Sequence, residues 1–381
     1  MLRVLSIFGT RPEAVKMAPV IQALANTAGV ESKVCVTAQH RQMLDQVLSL
    51  FDIHPDVDLN LMRPNQSLAE LTADILTHLE PVLRSIQPDW LLVQGDTTTM
   101  MAAAMLGFYN HIKIGHVEAG LRTGDKWQPF PEEINRRIAG VMADLHFAPT
   151  EHSRQNLLHE GIDDRRILVT GNPAVDALQA IVKRPSPPEI NSLLEKLDIR
   201  PGGRQLIVIT AHRRENFGQP LADICLALRR LAETYPHRLQ LVYPVHLNPN
   251  VQEPVYRLLS GVPNITLLPP LDYLPMVHLM QHATLVLTDS GGIQEEATGL
   301  KIPALVLRQV TERPEGIEAG ILKLVGTDPE LIFNETRRLL DNRDAYLAMA
   351  NATNPFGDGH AAGRIVNALL IYPLNCEGYK A

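Results

Sequence analysis

A chain of 381 residues is too long for one core, since single cores stop growing at roughly 250–300 residues, and two domains are expected. With 45% hydrophobic and 20% charged residues the chain is not an extended disordered one, and a formal charge of −7 argues against nucleic acid or an acidic membrane as a general partner. Any anionic ligand must therefore be held by local cations. Cys35, Cys225 and Cys376 are scattered without paired spacing, which speaks against a disulfide framework or a zinc site and fits a reducing cytoplasm. The opening run Met1–Phe8 is short for a signal peptide, and no apolar stretch approaches membrane-spanning length.

Short β-branched runs alternate with longer helical patterns, the signature of parallel sheets covered by helices. In the first half, strands are predicted at Leu2–Phe8, Ser32–Thr37, Trp90–Val93, Lys113–His116, Leu145–Ala148 and Ile167–Thr170. Helices are predicted over Pro12–Ala25, Arg41–Phe51, Leu68–Ile86, Thr98–Tyr109 and Ser153–His159. A proline-rich break at Lys183–Glu189 precedes a second series of strands: Gln205–Thr210, Leu239–Tyr243, Ile265–Leu268, Thr284–Thr288 and Pro303–Leu307. The expectation is an α/β protein of two Rossmann-like domains, 1–170 and 171–360, with a last helix around Ala361–Ile371. Ligands of such sheets bind outside the carboxyl ends of the strands, so two facing domains would pool their loops in a central cleft.

The polar clusters follow the strands in order. Gly9-Thr10-Arg11-Pro12-Glu13 opens a helix with Pro12 near its start and Lys16 one turn on, placing two cations where a diphosphate can use them; solvated charges at a helix start are the plain alternative. It is neither a dinucleotide fingerprint nor a P-loop. Gln94-Gly95-Asp96-Thr97 ends the next strand, with Asp96 or Thr97 suited to cap the helix that follows. Gly115–Gly124 and Pro129–Arg137 crowd glycines and charges into what reads as an active-site loop. Asp96, Glu118 and Glu132 thus come from three loops on one rim, and grouped carboxylates raise one another's pKa, which suits an acid and a base side by side. His116-x-Glu118 lacks the Pro-Cys-x-x-Cys of zinc deaminases, and neither a metal nor a cofactor is expected.

In the second half, Thr210–Asn216 presents His212, Arg213 and Arg214 at a strand end, and Tyr243–Asn250 presents His246 similarly. Strand 284–288 runs into Asp289-Ser290-Gly291-Gly292-Ile293-Gln294-Glu295-Glu296, an order that suits a phosphate against the amides of a helix's first turn, with Glu296 reaching toward a ribose. An ordinary capped helix accounts for the same residues. Arg313, in Thr311–Glu315, is a further candidate for a sugar phosphate.

Together these motifs closely resemble the non-hydrolysing UDP-N-acetylglucosamine 2-epimerases of bacteria. The likeness runs through Phe8–Ala14, Thr37–Asp45, Gly95–Thr99, Gly115–Gly124, Pro131–Glu133, Ala211–Glu215, His246–Asn250, Asp289–Glu296 and Thr311–Glu315, nearly the whole chain. It implies a glycosyltransferase-B-like fold, a homodimer, a C-terminal helix (about 361–381) returning to the N-terminal domain, and an isomerase serving cell-surface polysaccharide synthesis. By the resemblance Asp96, Glu118, Glu132 and His212 form the catalytic set. Arg11, Lys16, Arg136, Ser290, Gly291, Gly292, Glu296 and Arg313 hold UDP and sugar. Leu271 and Met276 flank the uracil where relatives commonly carry Gln and Phe, and Gln309 stands where they carry an acid. Family members bind a second UDP-N-acetylglucosamine as activator, and Gln39, Gln42, Gln66, Arg213 and His246 fall on those positions; Asn65 replaces an Arg of some activated members. The implied reaction is reversible C2 epimerisation of UDP-N-acetylglucosamine to UDP-N-acetylmannosamine by elimination of UDP to a 2-acetamidoglucal and re-addition. A related UDP-2-acetamido sugar, a glycosyltransferase on the same scaffold and a nucleotide-sugar sensor are the alternatives.

Overall fold

The structure, a computed structural model, describes residues 1–38, 41–63 and 66–372. It divides into two compact units, Met1–Ala177 with the chain from Gly357 onward, and Leu178–Phe356. The first carries strands β1 (Leu2–Phe8), β2 (Val30–Val36), β3 (Val57–Asp58), β4 (Trp90–Gln94), β5 (Lys113–Val117), β6 (Leu145–Ala148) and β7 (Ile167–Val169), in the order β3-β2-β1-β4-β5-β6-β7. The second carries β8 (Gln205–Thr210), β9 (Leu239–Pro244), β10 (Ile265–Leu268), β11 (Ala283–Thr288), β12 (Ala304–Val306) and β13 (Leu322–Leu324), in the order β10-β9-β8-β11-β12-β13. Every pairing in both sheets is parallel. The chain is thus α/β with two doubly wound sheets, and each reverses its strand order between its first and fourth strands, β1/β4 and β8/β11.

The strands read as nearly continuous apolar runs because helices cover both faces of a parallel sheet. All of β4 is buried, and so is β8 apart from Gln205. In the first unit Leu5, Ile7, Leu91 and Val93 pack with Ile75, Leu79 and Leu83 of helix Leu68–Ile86. In the second, Ile207, Ile209, Leu241, Leu285 and Leu287 pack with Ile224, Leu228 and Ala232 of helix Gln219–Thr234. Each of these Leu, Ile and Val side chains contributes about 1.5–3 kcal/mol of transfer free energy. Helix ends are set locally: Ser67 accepts from the Glu70 amide while Glu70 reaches back to the Ser67 amide, a capping box that starts the 68–86 helix. Helix Ala361–Ile371 belongs to the first unit, where the Asp176 carboxylate takes the amides of Ala361 (3.2 Å) and Ala362 (2.9 Å) at its start.

Two short strands, β3 and β13, go beyond the sequence reading, as does helix Glu132–Met142, whose first residues fall in the stretch read as an active-site loop. Its buried side is Glu133, Asn135, Arg136, Ala139 and Gly140, while Ile134 and Val141 face out. The polar residues are thus turned inward, the reverse of the usual amphipathic pattern. No helix among the described residues is long and apolar enough to cross a membrane.

Candidate active site

In the first unit the loops after β1, β4 and β5 meet at the carboxyl end of the sheet. Glu13, only 2% exposed, reaches back from helix Arg11–Ala25 to accept the amides of Gly9 (3.0 Å) and Thr10 (2.8 Å), and its other oxygen accepts the Thr97 hydroxyl at 2.6 Å. It stitches the β1 loop to the β4 loop. Burial raises the Glu13 carboxyl above its ordinary value, against the opposing pull of those three donors. His116, the fourth residue of β5, donates Nε2–H to the Gly95 carbonyl at 2.7 Å, which fixes the turn before Asp96. Burial pushes its pKa down to about 4, so the ring is neutral at physiological pH.

Glu118 follows β5 directly with φ +62°, a left-handed conformation uncommon for a residue with a Cβ. Its buried carboxylate accepts from Lys16 Nζ and from Asn172 Nδ2 (2.9 Å) on one oxygen and from Gln94 Nε2 on the other. Asp96 receives a two-nitrogen contact from Arg136, at 3.0 Å from Nε and 2.6 Å from Nη2, while Asn135 donates to the Asp96 carbonyl at 2.9 Å. Arg136 also faces the fully buried Glu133 at 3.2 Å, which in turn accepts the amides of Thr123 and Gly124 and so pins the 118–124 loop. Glu132 is the first residue of that same helix and half-buried. The arrangement differs from carboxylates that crowd one another: Glu118 has Lys16 against it and Asp96 has Arg136, a separate cation for each acid.

The loop's path depends on Gly120, where φ is +91° and a Cβ would lie 2.2 Å from the Ser153 carbonyl oxygen. Arg11 begins helix Arg11–Ala25 and is half-buried. Gln66 donates to Asp74 at 2.6 Å just before helix Leu68–Ile86. Gln39 and Asn65 lie outside the described residues, as does the side chain of Gln42.

In the second unit the corresponding loops follow β8, β9 and β11. Asp289, fully buried, accepts with a single oxygen, Oδ2, from the amides of His212 and Arg213 (2.8 Å each) and from Asn216 Nδ2 (3.0 Å). It stitches the β11 loop to the β8 loop. The His212 ring stacks on His246, with centroids 5.2 Å apart and planes within 10°. His246 Nδ1 accepts the Asn248 amide at 3.1 Å. Helix Gly291–Gly299 then begins with Ser290, whose hydroxyl does not cap it, and whose amide instead goes to Thr288 Oγ1 at 2.9 Å.

The two glycines differ. A Cβ on Gly291 would lie 2.5 Å from Arg313 Nη1, so its bareness makes room for that guanidinium, whereas a Cβ on Gly292 would meet nothing within 4 Å. Arg313 Nε donates to the buried Glu295 at 2.6 Å, and Glu312 lies 3.7 Å from Nη1. Glu312 is in turn held by Arg308 at 2.8 Å; burial alone would raise its pKa, yet Arg313 and Arg308 together bring it down to about 2. A cation aimed along the first turn of the helix is therefore fixed from behind by buried carboxylates. Glu296 is half-buried on the same helix, and Tyr273 stands close to it, its hydroxyl pushed up first by burial and then by Glu296 and Glu295. Tyr273 starts helix Tyr273–Gln281, on which Met276 is buried (7% exposed), and Leu271 lies just ahead of that helix.

The geometry thus brings Lys16, Asp96, Glu118 and Arg136 into two contacting pairs in one unit, and His212, His246, Gly291 and Arg313 into contacts at the other. Sequence reading did not single out Glu13, Gln94, Asn172, Glu133, Glu295 or Asp289 as site residues. The signal available for Glu13 was its spacing three residues after Thr10, the reach of a capping box; Asn172, far along the chain, gave none.

Two doubly wound sheets with polar loops at their switch points, one set acid and cation, the other a glycine-opened helix start backed by arginine, define an enzyme of the glycosyltransferase-B-like, nucleotide-sugar class. The model of the family described as UDP-N-acetylglucosamine 2-epimerase matches residues 22–370. A UDP-N-acetylglucosamine 2-epimerase of Yersinia pestis is 54% identical over 97% of this chain and 98% of its own, and one of Salmonella typhimurium is 53% identical over 97% and 99%. The crystal structure of the Neisseria meningitidis enzyme bound to UDP-GlcNAc superposes with a TM-score of 0.90 at 49% identity, over 97% of this chain and 100% of that one. The chain belongs to the UDP-N-acetylglucosamine 2-epimerase family and is an isomerase.

Proposed function

We propose that the protein catalyses the reversible C2 epimerisation of UDP-N-acetylglucosamine to UDP-N-acetylmannosamine by eliminating UDP to a 2-acetamidoglucal and adding it back. The C2 hydrogen has no neighbouring carbonyl to make it acidic, so the leaving group must assist. A base takes the C2 proton, its electron pair becomes the C1–C2 double bond, and the C1–O pair departs with UDP. A proton then returns to the opposite face of C2 while a pyrophosphate oxygen rebonds C1. The sequence closes without redox change and calls for no cofactor or metal.

The observation that carries this reading is Glu118: a buried carboxylate in a left-handed backbone position, aimed by Lys16, Gln94 and Asn172. Backbone of that kind, costing about 1–3 kcal/mol, is retained where placement of the side chain matters. Asp96, Glu118 and Glu132 supply the two acid/base groups that opposite faces require. Arg11, Lys16 and Arg136 add cations, while His212, Arg313 and the Ser290-Gly291-Gly292 helix start stabilise the departing diphosphate, the largest charge to develop. Glu296 takes the ribose, and Leu271 and Met276 lie beside the uracil. Gln39, Gln42, Gln66, Arg213 and His246 form the seat for a second, activating UDP-N-acetylglucosamine. The working form is a cytoplasmic homodimer.

Incubation of the purified protein with UDP-N-acetylglucosamine alone in D₂O tests the reading. The expected product is the manno isomer with deuterium at C2. Retention of protium in that product refutes elimination, and a requirement for an added acceptor would make the protein a glycosyltransferase instead.

A further inference from the structure

Asp289 satisfies three donors through Oδ2 alone, while Oδ1, equally buried, has no hydrogen-bond partner and lies 3.7 Å from His212 Nδ1. A buried carboxylate oxygen without a donor is costly, and the histidine ring beside it is one small rotation too far to supply one. We propose that Asp289 is a positioning residue for His212: as the ring turns inward, Oδ1 accepts the His212 Nδ1–H, leaving Nε2 to carry the proton that meets the departing diphosphate oxygen. This rests on the role given to His212 above.

The surroundings favour that movement. The His212 side chain is about one-third exposed (37%), so the ring has room to turn, and its backbone amide is already pinned to Asp289, so the pivot is fixed. Titratable groups around the pair include His246, stacked flat on the ring, and Tyr243, which stands near Asp289 and donates its hydroxyl to the Ala211 carbonyl. Turning the ring trades part of its stacking on His246 for a hydrogen bond to Oδ1. His246 Nδ1 is occupied by the Asn248 amide, so it does not compete for Oδ1. Oδ1 of Asp289 faces Nδ1 at 3.7 Å, and a carboxylate oxygen can only accept, so contact between them requires the proton on Nδ1.

Asp289→Asn isolates the effect. The amide oxygen keeps all three donors of the stitch, and its NH₂ replaces Oδ1, turning an acceptor for Nδ1–H into a donor. The expected result is a kcat lower by about 10- to 100-fold at neutral pH, with its alkaline limb shifted down by about one pH unit and KM for the UDP-sugar changed less than about threefold. The NMR titration midpoint of the His212 Cε1–H should fall with it. An unshifted midpoint, or kcat and KM falling together with the profile unchanged, overturns the proposal and leaves Asp289 a scaffold residue. Should Asp289→Asn not fold, ¹⁵N shifts of His212 in the wild-type protein saturated with UDP decide: the Nδ1–H tautomer or the imidazolium supports the proposal, and a neutral Nε2–H tautomer refutes it. Absence of C2 deuterium exchange in the wild type would instead sink the epimerase reading, and the His212 tautomer would still report on Asp289.

Discussion

The two units meet the same mechanical demand from opposite directions. Each must tie the loop after its first strand to the loop after its fourth, where the sheet order reverses. In the first unit the tie is Glu13, which comes from the first loop, holds that loop's own amides and reaches across to Thr97. In the second it is Asp289, which comes from the fourth-strand loop and reaches back for the amides of His212 and Arg213. The anchors are equivalent, but the groups they position are not. One side presents carboxylates matched with cations, suited to moving protons, and the other a bare helix start with a braced arginine, suited to holding an anion. Similar sheets therefore present different groups: Asp96, Glu118 and the Ser290-Gly291-Gly292 start stand just beyond strands, while Lys16, Arg136 and Arg313 are brought to them from further along the chain.

The largest effect is expected where that difference is sharpest. Glu118→Gln should lower kcat on the order of 10²–10⁴-fold while UDP affinity by calorimetry stays within a few-fold. An equal loss of both would make Glu118 a binding residue rather than an acid/base group. Next comes acid sensitivity. His116 is held neutral with its pKa depressed to about 4, so the stability it contributes is present above its ordinary value of 6.5 and is lost as pH falls from there through about 4. The loss amounts to roughly 3 kcal/mol at 1.36 kcal/mol per pKa unit. Glu13, whose pKa is raised, has the opposite sign: its contribution is present at low pH and is lost as pH rises through its folded value. Urea midpoints measured from pH 7.5 down to 4 should fall steeply in the wild type and less so in His116→Gln; identical slopes would show that another group drives the loss.

Third, Glu13→Ala leaves two amides and a hydroxyl unpaired and should cost about 1–3 kcal/mol in urea unfolding, with Glu13→Gln costing clearly less. A larger cost from Glu13→Gln than from Glu13→Ala would mean that charge, not donor satisfaction, holds the stitch. The smallest effect is expected at the paired glycines. Gly291→Ala displaces the Arg313 guanidinium and should weaken UDP about tenfold, or 1.4 kcal/mol. Gly292→Ala meets no protein atom and should leave thermal stability unchanged while weakening UDP. Unchanged UDP affinity in both would remove the anion seat from this helix.

Most strands were legible because a parallel sheet buried on both faces forces unbroken apolar runs, and the polar clusters were legible because they interrupt those runs at the carboxyl ends. β3 and β13, two and three residues long, carry too little pattern to register. Helix Glu132–Met142 escaped for a different reason: its inward residues Glu133, Asn135 and Arg136 serve Asp96 and the 118–124 loop, so hydrophobic periodicity points the wrong way. The strand-end position made Asp96 and Glu118 candidates, but their cation partners came from elsewhere on the chain, Lys16 and Arg136, and pairing across such separations has no local signature. Asp289 stands in the motif beside Ser290, but its partners, the amides of His212 and Arg213 and the Asn216 side chain, lie on a distant loop and leave no local mark.

Gly120 has a practical bearing on how substitution data for this enzyme should be read. No side chain fits between its Cα and the Ser153 carbonyl, so every replacement there must lift the segment that carries Glu118. In a saturation library scored by growth, position 120 would look as essential as the acid two residues before it. Only a folding assay run alongside the activity screen separates a residue proposed to perform chemistry from one whose emptiness keeps its neighbour in place.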